Sequence, residues 1–378
     1  WFVMQIDGND VAQIRKALDA AKAENSRPTL IIGKTIMGKG ARKADNSSYE
    51  NNCATHGAPL GGDAYINTIK NLGGDVENPF QFFEETKAIY AKRREELIGI
   101  VKEKLQYKAQ WASENPEKAA KLNRWFSGKA PIIDWSKIEQ KPDQATRAAS
   151  ANCLSLLAKQ VDNMIVSSAD LSNSDKTDGF LKQTHALTRN DFSGAFLQAG
   201  VAELTMACLC LGMALHGGVI AACATFFVFS DYMKPAIRMA ALMQLPVKFI
   251  WRRDAFRVGE DGPTHEPIEQ IASLRVLPNF DQWRPCDMVE TGAAWSYMIE
   301  RLDGPSAIIL SRQTLEQMPR STEQVNNISK GAYVLKDCEG TPDVILMATG
   351  SEVALAFHAA EKLAEQGKKA RVVSMPST

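Results

Sequence analysis

Residues 259–267 read Gly259-Glu260-Asp261-Gly262-Pro263-Thr264-His265-Glu266-Pro267, placing an aspartate and a histidine in one loop framed by glycines and prolines. An imidazole exchanges protons near neutral pH, and the flanking residue types restrict the backbone enough to hold Asp261 and His265 in a set geometry. The loop follows the apolar run Leu245 to Trp251. That puts it where open α/β sheets bind ligands, beyond the carboxyl end of a strand. By residue type alone, a Gly/Asp/Pro surface turn is the other reading.

Further candidates share this placement. His56 lies in a second Gly/Pro-framed run, His56-Gly57-Ala58-Pro59-Leu60-Gly61-Gly62, and Lys34 to Gly40 forms a glycine-bearing turn whose backbone could approach a phosphate. Glu203 enters an otherwise apolar helix. It is either an ordinary first-turn glutamate favoured by the helix dipole or a buried carboxylate with a chemical task. Phe226, Phe229 and Tyr232 recur at spacing three around a strand end, as core or as a platform for a flat ring. Arg147, Ser174, Arg253 and Arg312 fall at strand or helix ends. Converging arginines suit a phosphate, which they bind bidentately, whereas singly each suits a surface ion pair.

The elements that must position these residues follow an α/β rhythm. Strand 2–6, a helix N-capped by Asp10 with Val11, Ile14, Leu18 and Ala21 at helical spacing, and strand 29–32 form a right-handed βαβ crossover. Residues 75–143 read as a helical linker with a charged helix at 84–107. The rhythm restarts with helix 145–159, strand 163–167, helix 203–216, strand 219–223, helix 231–243, strand 247–251, helices 267–273 and 290–301, and strand 306–310. After a second linker at 315–330 come strand 343–348, helix 351–366 and strand 370–374. Segments 1–74, 144–314 and 331–378 thus carry three α/β blocks, and stacked doubly wound, mainly parallel sheets are expected.

The 378 residues suggest two or three domains, and 45% hydrophobic with 23% charged residues is a globular composition. Lysine plus arginine and aspartate plus glutamate balance at 44 each, which argues against a nucleic-acid or acidic-membrane partner. No apolar run approaches the roughly 18 residues that span a bilayer; Met206 to Ala224 reads instead as a buried helix and a strand. Seven scattered cysteines without a C-x-x-C pair fit a reduced, cytoplasmic compartment. The chain opens within one strand-like run and closes just after another, as expected of an excerpt from a longer polypeptide.

Taken in order, the strings DGND (7–10), KTIMGKG (34–40), HGAPLG (56–61), ATR (145–147), SADL (168–171), GEDGPTHEP (259–267), ASLRVLPN (272–279), WRPCD (283–287), DGPSAIILSRQ (303–313), GAYVLKD (331–337), ATGSEV (348–353) and ARVVSMPS (370–377) resemble the transketolase family. The resemblance implies the thiamine-diphosphate-binding fold. Residues 1–74 would be the tail of a pyrophosphate-binding domain, 144–314 a pyrimidine-binding domain and 331–378 the start of a C-terminal domain. It implies reversible transfer of a two-carbon ketol unit between sugar phosphates in the pentose phosphate pathway, through a thiamine diphosphate carbanion. The cofactor would sit at the interface of a homodimer.

Glu203 then matches the glutamate that hydrogen-bonds the aminopyrimidine, and Phe226, Phe229 and Tyr232 the aromatic wall around that ring. His265 and Asp261 match residues facing the substrate, and His56 one that reaches both diphosphate and substrate. Arg147, Ser174, Arg253 and Arg312 match the sugar-phosphate clamp, and Asp170 a contact to a substrate hydroxyl. The chain departs from the family where Arg253-Asp254-Ala255-Phe256-Arg257 replaces a His-Asp-Ser-Ile-Gly run, and where Leu-Thr-Met after Glu203 replaces Phe-Gly-Met. The ligands for Mg²⁺ or Ca²⁺ are expected upstream of Trp1, so no metal ligand is assigned here. Two other readings are a thiamine-dependent carboligase such as deoxyxylulose-phosphate synthase and a non-catalytic binding subunit of the same fold.

Overall fold

A computed structural model describes residues 1–254 and 261–377, which fall into two compact units, Trp1–Gln110 and Trp111–Thr378. In the first unit, β1 (Phe2–Asp7) pairs in parallel with β2 (Thr29–Lys34), joined through the helix Val11–Ala23. Asp10 starts that helix by accepting from the backbone N–H groups of Ala12 and Gln13, which would otherwise lack partners in the first turn. The helix Gly62–Asn71 follows the His56 loop, and a long helix that begins at Glu84 continues past the end of this unit to Glu114.

The second unit is built on a six-stranded, wholly parallel sheet. Its strands are β3 (Met164–Ser168), β4 (Phe196–Gln198), β5 (Ile220–Phe226), β6 (Lys248–Arg252), β7 (Asp281–Trp283) and β8 (Ser306–Leu310), in the order β4-β3-β5-β6-β8-β7. Such a sheet needs cover on both faces. One face packs Leu154, Leu157, Met164, Trp295 and Met298 together, drawing on the helices Thr146–Gln160 and Met288–Glu300. The other packs Met206, Phe227, Ile237, Phe249 and Trp251, with the helices Glu203–His216 and Ser230–Leu242. The chain steps outward from β3 to β4 and then returns to β3's other side at β5, so the strand order reverses between β3 and β5. Loops beyond the carboxyl ends of strands diverge at such a switch and leave a crevice.

A three-stranded sheet completes this unit, with β10 (Val344–Ala348) parallel to β11 (Ala370–Ser374) and β9 (Tyr333–Lys336) antiparallel to β11. Buried ionic groups tie these strands to the large sheet. Arg284 Nε donates to Asp254 Oδ2 at 2.5 Å, Arg284 Nη1 donates to the Thr349 carbonyl at 2.8 Å, and the same guanidinium pairs with Glu352. Its stem crosses Gly350, at φ +53°, where an added Cβ would lie 2.8 Å from Arg284 Cγ. A second network joins Arg320, Asp287, Glu290, Tyr333 and Ser374.

Several expectations shift. The helix expected over 84–107 continues to Glu114, and a further helix occupies Pro116–Trp125, because Pro116 stands in a first turn where its missing N–H costs nothing. Strands β4, β7 and β9 are too short to declare a period. The helix expected over 267–273 runs Gln270–Arg275. The helix Glu203–His216 is not buried all round: Met206, Ala207, Cys210 and Leu211 are buried, while Leu204, Cys208, Leu209 and Leu215 are exposed. All seven cysteines are free thiols, with Cys153, Cys210, Cys223 and Cys286 in the core. No helix among the described residues is long and apolar enough to cross a membrane.

Candidate functional site

The carboxyl ends of β3, β5, β6 and β8 carry nearly all the predicted residues of the second unit. After β3 come Asp170 and Ser174, β5 ends in Phe226, β6 runs directly into Arg253, and Arg312 follows β8. Asp170 and Arg253 both adopt left-handed backbone, at φ 63° and 68°. Non-glycine residues in that region are strained by about 1–3 kcal/mol and persist where the surroundings hold them, commonly at functional sites. Asp254 supplies the hold at β6, since its buried carboxylate is gripped by Arg284 immediately after the strained residue.

Phe226, Phe229 and Tyr232 form one stacked row. Ring centroids are 5.9 Å apart in each successive pair, with interplanar angles of 16° and 26°. The first ring is buried and the last is 62% exposed, so the row runs outward from the carboxyl end of β5. His265 stands edge-on to the row, 6.0 Å from Phe226 and 5.2 Å from Phe229. Its Nδ1 is 2.9 Å from Thr264 Oγ1, which leaves Nε2 as the ring nitrogen for other partners. Glu203 opens the helix behind β5 and is buried; Thr225 Oγ1, one residue before Phe226, donates to its Oε1 at 3.3 Å. That long contact leaves the carboxylate able to accept from a closer donor.

The arginines also converge. Asp261 pairs with Arg253 and lies 4.0 Å from Arg312 Nη1. Arg147 Nη1 donates to the Ser174 carbonyl at 3.4 Å, and burial followed by the charge of Arg312 lowers its pKa. The Arg253 guanidinium lies 4.1 Å from the Phe226 ring centroid, so the arginine group and the aromatic row are continuous. Ser174 contributes its backbone carbonyl there. Asp170 is exposed beside the cluster's β3 edge.

His56 belongs to the first unit, where it closes the turn Cys53–Thr55 and is exposed; its backbone N–H donates to the Cys53 carbonyl at 3.0 Å. Of the loop 259–267, Gly259 and Glu260 lie outside the described residues, as do Ala255, Phe256 and Arg257. Among the described residues no cluster of three or more His, Cys, Asp or Glu side chains forms a metal site.

Three residues went unnoticed in the sequence. Thr225 had no signal of its own. Asp175 is buried beneath β3 and accepts from Ser168 Oγ at 2.6 Å and from Thr177 N and Oγ1 at 2.9 and 2.7 Å; burial still raises its pKa. Arg252 did carry a signal, a charge at the end of an apolar strand, but the strand was expected to stop at Trp251.

Known proteins align with this arrangement throughout. Residues 1–131 match the transketolase thiamine diphosphate binding domain, 143–318 the transketolase pyrimidine binding domain and 331–378 the transketolase-like C-terminal domain. Transketolase 2 of Vibrio parahaemolyticus is 44% identical over 393 residues, covering 100% of this chain and 57% of that protein. The structure of transketolase from Leishmania mexicana superposes with a TM-score of 0.88 at 31% identity, covering 100% of this chain and 55% of that one. A Pichia stipitis transketolase solved with sedoheptulose-7-phosphate gives a TM-score of 0.87 at 34% identity, covering 100% of this chain and 56% of that one. The chain therefore spans a little over half the length of these relatives, and it belongs to the transketolase family.

Proposed function

We propose that the intact protein is a transketolase that moves a two-carbon ketol unit from a ketose phosphate to an aldose phosphate. The observation that carries this is the pairing, at the carboxyl end of β5, of a buried Glu203 carboxylate bonded to Thr225 with the stacked Phe226–Phe229–Tyr232 row, where His265 stands edge-on to Phe226 and Phe229. A buried acceptor and an aromatic row at the end of one strand fit the aminopyrimidine of thiamine diphosphate, which has a flat ring and ring nitrogens to satisfy. When bound, that cofactor supplies an electron sink that lets the bond beside a carbonyl break.

This chain's residues then have separable tasks. Glu203 accepts a hydrogen bond from the pyrimidine and holds the proton there. Phe226, Phe229 and Tyr232 orient the ring and exclude water from its face. His265 moves protons at Nε2, because Thr264 occupies Nδ1. Asp261 and Asp170 hold substrate hydroxyls, and Arg147, Ser174, Arg253 and Arg312 hold the phosphate. His56 serves the diphosphate and substrate from its own loop. A homodimer with the cofactor between subunits, a divalent Mg²⁺ or Ca²⁺ held by residues other than those named, a cytoplasmic place in the pentose phosphate pathway, and domain boundaries at 74, 143, 314 and 330 complete the proposal.

The test is thermal unfolding of the intact protein with and without thiamine diphosphate and Mg²⁺, together with ketol transfer from a phosphorylated ketose. Stabilisation with transfer supports the reading. Stabilisation with release of carbon dioxide from pyruvate assigns a different carboligase, and no stabilisation assigns a binding subunit.

A further inference from the structure

Arg252 ends β6 with 2% of its surface exposed, and its Nε and Nη1 donors have no hydrogen-bond partner among the described residues. Leaving charged donors buried without acceptors costs free energy. Its surroundings add to that cost: Arg147, Arg253 and Arg312 all act on it as like charges, and burial together with them lowers its pKa. Asp175 acts on it as a compensating charge, but its two carboxylate oxygens already accept from Ser168 and Thr177. The Phe226 ring lies 4.9 Å from the guanidinium carbon. A ring over the face of a guanidinium attracts its charge yet leaves the in-plane N–H groups unused. The cation is thus held in place with its donors still to be satisfied.

We propose that Arg252 is a further specificity-determining residue, donating to the anionic end of the substrate alongside Arg147, Arg253 and Arg312. The inference rests on the transketolase reading for the substrate's identity, but the anion-binding claim stands apart from it. An anion of phosphate geometry answers the fork and relieves the repulsion among the four guanidiniums. Arg252 would act on binding of the charged group and leave the bond-breaking step to the residues around the aromatic row.

The experiment uses the intact protein with thiamine diphosphate and Mg²⁺, and compares wild type with Arg252→Gln and Arg252→Lys. Inorganic phosphate is titrated by calorimetry, and KM and kcat are measured for a phosphorylated aldose acceptor and its unphosphorylated counterpart. Loss of a charged hydrogen bond predicts phosphate affinity about tenfold weaker or more in Arg252→Gln, with the lysine variant intermediate. The KM ratio of phosphorylated to unphosphorylated acceptor should rise by about the same factor. Unchanged phosphate affinity, or equal losses on both acceptors as a packing role would give, overturns the proposal. If wild type transfers no ketol unit, the functional reading fails and the phosphate titration still decides Arg252. If the glutamine variant does not fold, the lysine variant decides, since unchanged affinity there overturns the forked contact and weaker affinity supports it.

Discussion

Replacing Arg284 by methionine tests how the left-handed turn after β6 is held. Arg284 is 8% exposed and Asp254 4%, with Nε and Oδ2 at 2.5 Å, and the same guanidinium serves Glu352 and the Thr349 carbonyl. Methionine keeps most of the apolar stem, so the loss is electrostatic. Breaking a buried pair from one side costs about 3–5 kcal/mol because the remaining charge is uncompensated. Burial already raises the Asp254 pKa to about 6 despite the guanidinium, and without Arg284 it rises further.

The sign of the pH dependence follows. A carboxyl group whose folded pKa exceeds its unfolded value binds more protons when folded, so its contribution falls as pH rises through the window between the two values. In wild type that window closes near pH 6. In Arg284→Met it stays open above pH 6, so urea unfolding should show a loss of about 3–5 kcal/mol at pH 8 and a clearly smaller one at pH 5. Adding Asp254→Asn should recover part of the loss at pH 8. A loss below about 1 kcal/mol at pH 8, or equal losses at the two pH values, would refute the account of Asp254 as a charge held by Arg284.

Two further outcomes concern the scaffold. Lys248 is buried at the start of β6 with Nζ donating to the Arg301 carbonyl at 2.7 Å, and burial lowers its pKa to about 7. A base with a depressed folded pKa is bound to its proton more tightly when unfolded, so stability rises with pH from about 7 to 10.5. Lys248→Met should remove about 2 kcal/mol of the rise between pH 7 and 9, measured by urea unfolding at both pH values; an unchanged slope refutes the burial argument. At Gly194 an added Cβ would lie 2.3 Å from the His185 carbonyl oxygen, a backbone atom with little room to yield. Gly194→Ala should lower stability by about 1–3 kcal/mol in the same assay, and a neutral effect would show that the segment leading into β4 shifts freely.

How much was legible in the sequence depended on length and on chemistry. Helix Glu203–His216 and strand Ser306–Leu310 have the expected bounds, because a continuous apolar run is a local signal. β4 and β7 are three residues each, and their pairing is dictated by neighbours distant in the chain. At the site, residue type and the family strings pointed to the arginines, the aromatic row and His265. Thr225 and Asp175 matter only through what packs on them, which spacing does not encode. Arg252 was hidden by a one-residue difference in where β6 ends, although a charge closing a buried strand is a readable anomaly.

Whether the buried Glu203 carboxylate serves the thiamine ring is measured most directly on Glu203→Gln in the intact protein. Glutamine keeps the size and can still accept from Thr225, so the fold should survive, as unchanged thermal unfolding without cofactor would show. Ketol transfer should fall by about a hundredfold or more, with a matching fall in deuterium exchange at the C2 carbon of added thiamine diphosphate. Transfer and exchange within about threefold of wild type, well short of the losses expected for a proton-holding carboxylate, would contradict the assignment of Glu203.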